Sequence, residues 1–387
     1  MTVRADPNLL LDLKKFGAVG IEQCFNCGNC TAICPLTNDE HPFPRNMIRL
    51  AQMGLKDSLR ASTDPWLCYY CGDCSATCPR GAEPGETMMA IRRWLTAQYD
   101  RTGHGTRLYT SEKAIWWTIA RIALITLAFF VGINLLGPGR IETEQVALNQ
   151  FAPALLVWGF VVAHFAYLGT RVLSGIVTMF KSTMASTLRL GKIPLGTYLS
   201  EFKTLIIHFF TQKRWVQCST EKPPRRWLVH MLLVSGYLTM LTLVVGLLWW
   251  FQTDEIYPLH HPQRWLGYYA TIVLIYASTD MLIGRIRKRD QMHRFSHPSD
   301  WLFPAFILFG SVSGILVHIL RYAGLPWPTY FVYIIHVLAM VAMLDTEVGI
   351  GKWAHLIYRP LALYLEGVKT KVRQQREVAV GAAAPAD

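Results

Sequence analysis

The sequence predicts an all-α protein in two parts, a small cysteine-rich helical domain followed by a bundle of six membrane-spanning helices, and three observations carry that reading. Of 387 residues, 52% are hydrophobic and only 17% charged, which is too apolar for an ordinary soluble chain. Beyond residue 110 the apolar residues gather into runs of about 20, the length that crosses a bilayer core. Before it, a motif occurs twice, as CFNCGNCTAICP at residues 24–35 and CYYCGDCSATCP at residues 68–79.

Taken in order, residues 1–110 read as the first domain, 111–365 as the membrane part and 366–387 as a tail without fixed structure. A helical linker around residues 46–60 joins the two cysteine repeats, and residues 85–99 form a closing helix. Residues 100–111, with two glycines and no apolar periodicity, are expected to be a plain linker. The six spans are expected at 115–136, 151–173, 227–251, 265–284, 300–320 and 330 to about 348. Residues 199–210, LSEFKTLIIHFF, have the pattern of an amphipathic helix on a membrane surface. The last residues, 378–387, are small and featureless.

Loop charges orient the spans. Residues 171–226 carry Lys181, Arg189, Lys192, Lys203, Lys213, Arg214, Lys222 and Arg225, and residues 285–294 carry Arg287, Lys288 and Arg289. The three alternate loops, 137–150, 252–264 and 321–329, carry one Lys or Arg each. The positive-inside rule then puts both termini, both basic loops and the cysteine domain in the cytoplasm of a multi-pass membrane protein. The start of the chain, without an apolar core and cleavage site, agrees with a cytoplasmic N-terminus. The formal charge of +12 follows from these loops, so no nucleic-acid partner is expected and the lipid membrane explains it.

Eight of the nine cysteines lie in the two repeats and only Cys218 stands apart, where it reads as a free thiol without function. Each repeat has the spacing C-x2-C-x2-C-x3-C-P, in which three cysteines wrap a cubane and the fourth is directed to the neighbouring cluster. The exchange needs two copies, and two are present. The assignment is Cys24, Cys27, Cys30 and Cys78 around one [4Fe–4S] cluster and Cys68, Cys71, Cys74 and Cys34 around the other, in a ferredoxin-like domain. Structural zinc sites group their ligands in separated pairs, and a disulfide framework conflicts with a reducing compartment. Clusters without an open coordination position carry single electrons rather than transform a substrate.

Ionisable groups inside spans tend to mark function. His164, His230, His318 and His336 lie in spans, and His355 just past the last. A lone membrane histidine is commonly a hydrogen-bond partner between helices; a low-spin haem needs two imidazoles from facing helices at one depth. His230 and His355 both fall near the cytoplasmic face and make one such pair. His336 precedes His355 by 19 residues, about 28 Å along a helix, and so belongs near the opposite face. His318 matches that depth, with His164 as the alternative partner. Asp280, Asp345 and Glu347 read as salt-bridge partners, and Trp116, Trp117, Trp249, Trp250, Trp265 and Tyr330 as interface anchors.

The cysteine repeats resemble those in the C component of heterodisulfide reductases. Residues 227–364 resemble the haem b membrane component of that group and, more distantly, of respiratory nitrate reductase: a basic pair, Arg225 and Arg226, precedes His230, and IIHVLAMVAMLDTEVGIGKWAH carries His336 and His355. The fusion in this order is similar to the C components of quinone-interacting membrane-bound oxidoreductases of sulfur metabolism. The resemblance implies a cytochrome b type bundle with two haem b groups, in a bacterial or archaeal cytoplasmic membrane. It also implies soluble flavin and iron–sulfur partner subunits docking on the first domain, and exchange of electrons with a quinone, menaquinone or ubiquinone. The chain would then act as a subunit of a quinone-linked oxidoreductase, not as an enzyme for a soluble substrate. In the nitrate reductase relative a second histidine follows the first by ten residues, where this chain has Met240; His318 and His164 stand as candidates for that reason. Two alternatives share the architecture, an anchor for another dehydrogenase or disulfide reductase, and a haem-free anchor for a ferredoxin domain.

Overall fold

The computed structural model describes residues 4–39, 41–212 and 225–383, and every regular element among them is helical. Cys218 and the basic residues around it lie outside the described residues. In the first domain, α1 (Leu9–Lys15), α2 (Asn29–Ile33), α3 (Arg45–Gln52), α4 (Lys56–Ala61), α5 (Asp64–Leu67) and α6 (Asp73–Ala76) surround the longer α7 (Pro84–Tyr99). The expected linker helix is broken in two because Gly54 turns the chain with φ 70°, a conformation glycine adopts without strain. α7 is buried on nearly all sides, so it forms the axis of the domain. Its Trp94 and Ile91 pack with Leu13, Met47 and Trp66.

That core does not stop at the domain boundary. Met179, Tyr358 and Ala362, from two long helices of the second part, belong to it. The expected plain linker is also incorrect, since α8 (His104–Thr110) forms there and buries Leu108 and Tyr109. Ser111 then caps α9 (Glu112–Leu135) by accepting from the Ala114 N–H.

Six helices are long and apolar enough to cross a membrane. They are α9, α11 (Ala154–Arg189), α13 (Arg225–Leu241) with its π-turn extension Thr242–Gly246, α15 (Pro262–Ile286), α16 (Ser299–Tyr322) and α17 (Pro326–Glu347). Short helices α10 (Leu148–Phe151) and α14 (Leu248–Phe251) lie at the far end. All six expected spans are present within a few residues. The second runs well past the expected end, because residues 174–189 continue the helix out of the apolar stretch to meet the last helix.

α12 (Leu195–Thr211) is helical as its pattern predicts. It buries Thr197 and Glu201 and leaves Leu199, Phe202, Ile206 and Phe210 exposed, the apolar face that an interfacial helix presents to lipid. The tail expected to lack structure is the clearest correction. α18 (Ala354–Ala383) runs through it, with Leu365, Val368 and Val372 packed on Met184. Their three-and-four spacing makes a helical stripe that the small terminal residues obscure. Lys371 pairs with Glu201 at 2.6 Å, locking α18 to α12.

Two of the three acidic residues expected to form salt bridges do so, whereas Glu347 instead accepts from the Lys352 backbone N–H at 2.6 Å. Asp345 meets Arg121 at 3.2 Å and Arg171 at 3.5 Å, and Asp280 meets Arg289 at 3.0 Å. Tyr330 is not an interface anchor: it is only 2% exposed, stacks on Phe151, and its hydroxyl donates to the Glu142 carbonyl at 3.0 Å. A loop folded over the end of α17 buries it. Trp116, Trp117, Trp249 and Trp265 are largely exposed, as anchors are.

The first domain is also clamped to α18 at its outer edge. His41 Nδ1 lies 3.0 Å from Asp64 and Nε2 lies 3.4 Å from Glu366. The hydrogen bonds to Asp64 and Glu366 raise His41 from 6.5 to about 10. Burial alone would raise Glu366, but the hydrogen bond from His41, the Lys369 charge and Thr63 together hold it at about 2. A histidine raised on folding contributes fully below about 6.5, and its contribution fades as pH climbs through about 10. The Glu366 share is complete above 4.5 and is lost as pH falls through about 2. Between pH 7 and 10 the contact should therefore loosen, read as faster amide exchange, corrected for intrinsic rates, at residues 35–43. His41→Gln should be loose already at pH 7 and change little over that window. A wild-type contact unchanged from pH 7 to 10 would contradict the clamp.

Candidate metal centres

The two cysteine repeats adopt the same local backbone. Asn26 and Tyr70, matching positions, both have positive φ, 61° and 57°, and Gly28 and Gly72 follow at 90° and 95° to start α2 and α6. Glycine is suited to that left-handed turn, which bends the loop so that the second and third cysteines face the same side. The Tyr70 N–H donates to Cys68 Sγ at 3.3 Å, and Asn29 donates to the Thr77 carbonyl at 2.6 Å, bridging one repeat to the other.

The side chains group in the crossed pattern. Cys24, Cys27, Cys30 and Cys78 line one pocket with Gly28, Arg45 and Pro79. Burial pushes the Cys30 thiol up, with Cys24, Cys27 and Cys78 adding to the shift. In the second group burial raises Cys74, and Cys68, Cys71 and Cys34 add to it; Cys71 rises to about 12, again through burial. Thiols so placed ionise only beside positive charge, as iron supplies. A further observation fits an anionic thiolate centre. Arg92 and Arg359 both donate to the Cys68 carbonyl, Arg359 at 2.8 Å. Burial, then Arg359, lowers Arg92 to about 9, and negative charge at the four sulfurs would offset that pair of cations. The donor sets therefore suit two cubane clusters.

The groups differ in exposure. Cys27 is exposed and Cys68 buried, and Phe25 beside the first group is 60% exposed. The loop of the second group is held against the bundle. Arg226 reaches the Cys71 carbonyl at 3.5 Å, Tyr70 donates to the Met292 carbonyl at 3.3 Å, and Gly72 sits where a Cβ would meet Gln291 at 2.9 Å.

Four residues beyond Arg226 is His230, and four before Arg359 is His355. The two imidazoles face each other with ring centres 6.0 Å apart; two imidazoles bonded to one iron at about 2 Å put their ring centres roughly 6 Å apart. His355 Nδ1 donates to the Lys352 carbonyl, which leaves the lone pair on Nε2. Burial, then the charges of Arg359 and His230, holds His355 well below its usual value, in the neutral form a metal takes.

At the other end lies a largely apolar cavity of about 290 Å³ between α13, α15, α16 and α17. His336 and His318 both line it, and so does Met240. Ser313 donates to the Gly310 carbonyl at 3.2 Å and so accepts from His336 Nδ1 at 3.0 Å. Gly314 lets the imidazole lie against α16, where a Cβ would stand 3.2 Å from its Cε1. His318 Nε2 is 3.0 Å from the Tyr268 hydroxyl, a partner it must release to bind a metal through that atom. His164 is not on the cavity wall, although Val161 and Phe165 are; its Nε2 has no hydrogen-bond partner among the described residues. Sequence reasoning missed the arginines that hold the second cysteine loop. The four-residue intervals from Arg226 to His230 and from His355 to Arg359 were the available signal.

Residues 20–82 match the family described as 4Fe-4S dicluster domain. A heterodisulfide reductase C-like protein of Archaeoglobus profundus is 35% identical over 88 residues, 22% of this chain and 47% of that protein. The C components of the H(2):CoB-CoM heterodisulfide,ferredoxin reductases of Methanothermobacter marburgensis and Methanothermobacter thermautotrophicus are each 38% identical over 55 residues, 14% of this chain and 30% of theirs. The chain thus spans less than half the length of these curated relatives. No solved structure matches it. Residues 20–82 are therefore similar to a 4Fe-4S dicluster domain and to part of heterodisulfide reductase C-like proteins, and the chain joins them to six helices long and apolar enough to cross a membrane.

Proposed function

We propose that the chain is the membrane subunit of an oxidoreductase complex, passing electrons between a soluble flavin and iron–sulfur partner and the quinone pool. The observation that carries this reading is the pair of grips on the second cysteine loop. Arg226 and Arg359 hold its backbone, and each stands one helical turn from a histidine of the facing pair His230 and His355. The two clusters and two b haems would supply one-electron carriers.

The residues that would hold them form an ordered series. Cys24, Cys27, Cys30 and Cys78 lie at the more exposed side, where Phe25 and Ile33 offer apolar surface to a soluble partner. Cys68, Cys71, Cys74 and Cys34 lie against the bundle. His230 and His355 come next, and His336 with His318 at the far cavity comes last. His318 takes precedence over His164 as the partner of His336 because it shares the cavity wall. Arg285 and Arg289, at one end of α15, lie on the side of the cysteine domain, where Arg285 approaches the same carboxylate as Arg93. The basic loop after α15 and the cluster domain therefore share a face, which the positive-inside rule assigns to the cytoplasm.

Two measurements test the reading. Cys34→Ser and Cys74→Ser should perturb the same cluster's EPR signal, while Cys78→Ser perturbs the other. If Cys34→Ser instead disturbs the cluster of Cys24, Cys27 and Cys30, the crossed assignment is wrong.

A pyridine haemochrome assay of the purified complex should give two b haems per chain. His230→Ala and His355→Ala should each remove the same one, and His336→Ala the other. A preparation with no haem leaves the haem-free anchor as the correct description. If His164→Ala rather than His318→Ala removes the second haem, the far ligand is His164.

A further inference from the structure

The far cavity contains a charge arrangement that its apolar walls do not explain. Arg264, in the first turn of α15, is 5% exposed, and Arg321, in the last turn of α16, is 4% exposed. Both line the cavity. Arg321 donates to the Glu255 carbonyl at 2.8 Å and to that of Thr253, yet its Nε has no hydrogen-bond partner among the described residues. Arg264 leaves both Nε and Nη2 without one; its guanidinium instead lies over the rings of Phe251 and Tyr322, 5.9 and 5.8 Å from their centroids. Asp254, which accepts from the Asn149 N–H at 2.6 Å, makes no ion pair with either arginine among the described residues.

Two buried cations with so little compensation are costly unless an anion joins them. The neighbouring polar groups are already engaged. Tyr333 donates to Gln252 at 2.9 Å, Gln252 donates to the Ala152 carbonyl at 2.7 Å, and Tyr268 meets His318. What would fill the space is a large apolar body with two negative charges at one end and a site for the lone pair of His336 toward the other. A quinone has the apolar body but no negative charge. Resting on the haem reading above, we infer that Arg264 and Arg321 are the counter-cations for the two propionates of a haem bound through His336. Arg321 lies seven and eight residues along α16 from Gly314 and Ser313, the residues against His336. That is roughly 11 Å at the helical rise, within the combined reach of an arginine side chain and a propionate arm. The arginines are positioning residues: they fix which way the macrocycle faces and set its charge environment.

The test is a potentiometric titration of both haem b absorption bands in the purified complex, for wild type, Arg264→Gln, Arg321→Gln and the two Lys variants. Ferric haem carries one more positive charge than ferrous, so a lost nearby cation favours the oxidised form. Each Gln variant should shift the reduced-to-oxidised ratio of one haem by on the order of tenfold, ~59 mV downward. The other haem should stay put, which also shows that the bundle is folded. The Lys variants should recover most of the shift.

Unchanged potentials with full haem content in both Gln variants would overturn the assignment, as would a shift in the haem held by His230 and His355 instead. So would loss of a co-purifying phospholipid, or a raised KM for quinol, with both haem potentials intact, because the arginines would then serve a lipid headgroup or a quinone. Wild-type protein with no haem defeats the underlying reading itself, and the titration separates that failure from a failure of the arginine assignment.

Discussion

The position of the cluster domain on the bundle depends on one buried carboxylate. Asp300, in the first turn of α16, is 5% exposed and is surrounded by cations from three other segments. Arg93 of α7 approaches at 3.1 Å, Arg285 at the end of α15 at 3.8 Å, and Lys352 from the turn before α18 pairs with it as well. It also accepts from the His297 N–H at 3.1 Å. Removing one member of a buried charge cluster leaves the rest uncompensated, at roughly 3–5 kcal/mol. The arrangement is therefore more a device of position than a gain in stability. It fixes α7, and with it Arg92; it fixes the start of α18, and with it His355 and Arg359.

From that anchor the geometry of the metal centres follows by helical periodicity. Once α18 starts at a fixed place, His355 and Arg359 share a face because they are four residues apart. One then points at His230 and the other at the carbonyl of Cys68. On α13 the same spacing aims Arg226 at the cysteine loop and His230 at His355. Neither helix needs a specialised motif. Two ordinary intervals, held in register by the seam, bring a loop of the iron–sulfur domain next to a pair of imidazoles. The shared hydrophobic core, in which Tyr358 packs against Trp66 with ring centroids 5.2 Å apart, makes the join rigid rather than hinged.

What could be read beforehand followed from strong local signals. The cysteine spacing dictates its own geometry, and a run of apolar residues has few fates other than a span. The facing of His230 and His355 was legible because depth along a helix is arithmetic. What escaped were features that depend on tertiary partners. Residues 104–110 are helical because Leu108 and Tyr109 have a core to enter. The terminal helix is ordered because Leu365, Val368 and Val372 meet Met184, and no average over the tail's small residues records that stripe. Tyr330 has the composition of an anchor, and only the loop folded above it makes it a buried hydrogen-bond donor. Arg264 and Arg321 sit at span ends, where any arginine looks like a topological charge until its burial is known.

The two ends of the bundle also differ in their backbone. Near the cluster domain, α13 is regular and its histidine is brought close to a partner. Toward the far end it passes into a π turn over Thr242–Gly246, a local widening often found at functional sites. A π turn releases carbonyls from the regular ladder, and one of them, on Val245, is taken by the Trp158 indole at 2.8 Å. The compensation comes from another helix, so the widening is supported by the fold and is not a frayed end. Met240, Leu241, Val244 and Leu248 all face the cavity that His336 lines, and their three-and-four spacing puts them on one face of an ordinary helix. The π turn therefore interrupts the backbone ladder beside the cavity without changing which face lines it, and the cavity wall at this end is set by the same periodicity that aims Arg226 and His230 at the other.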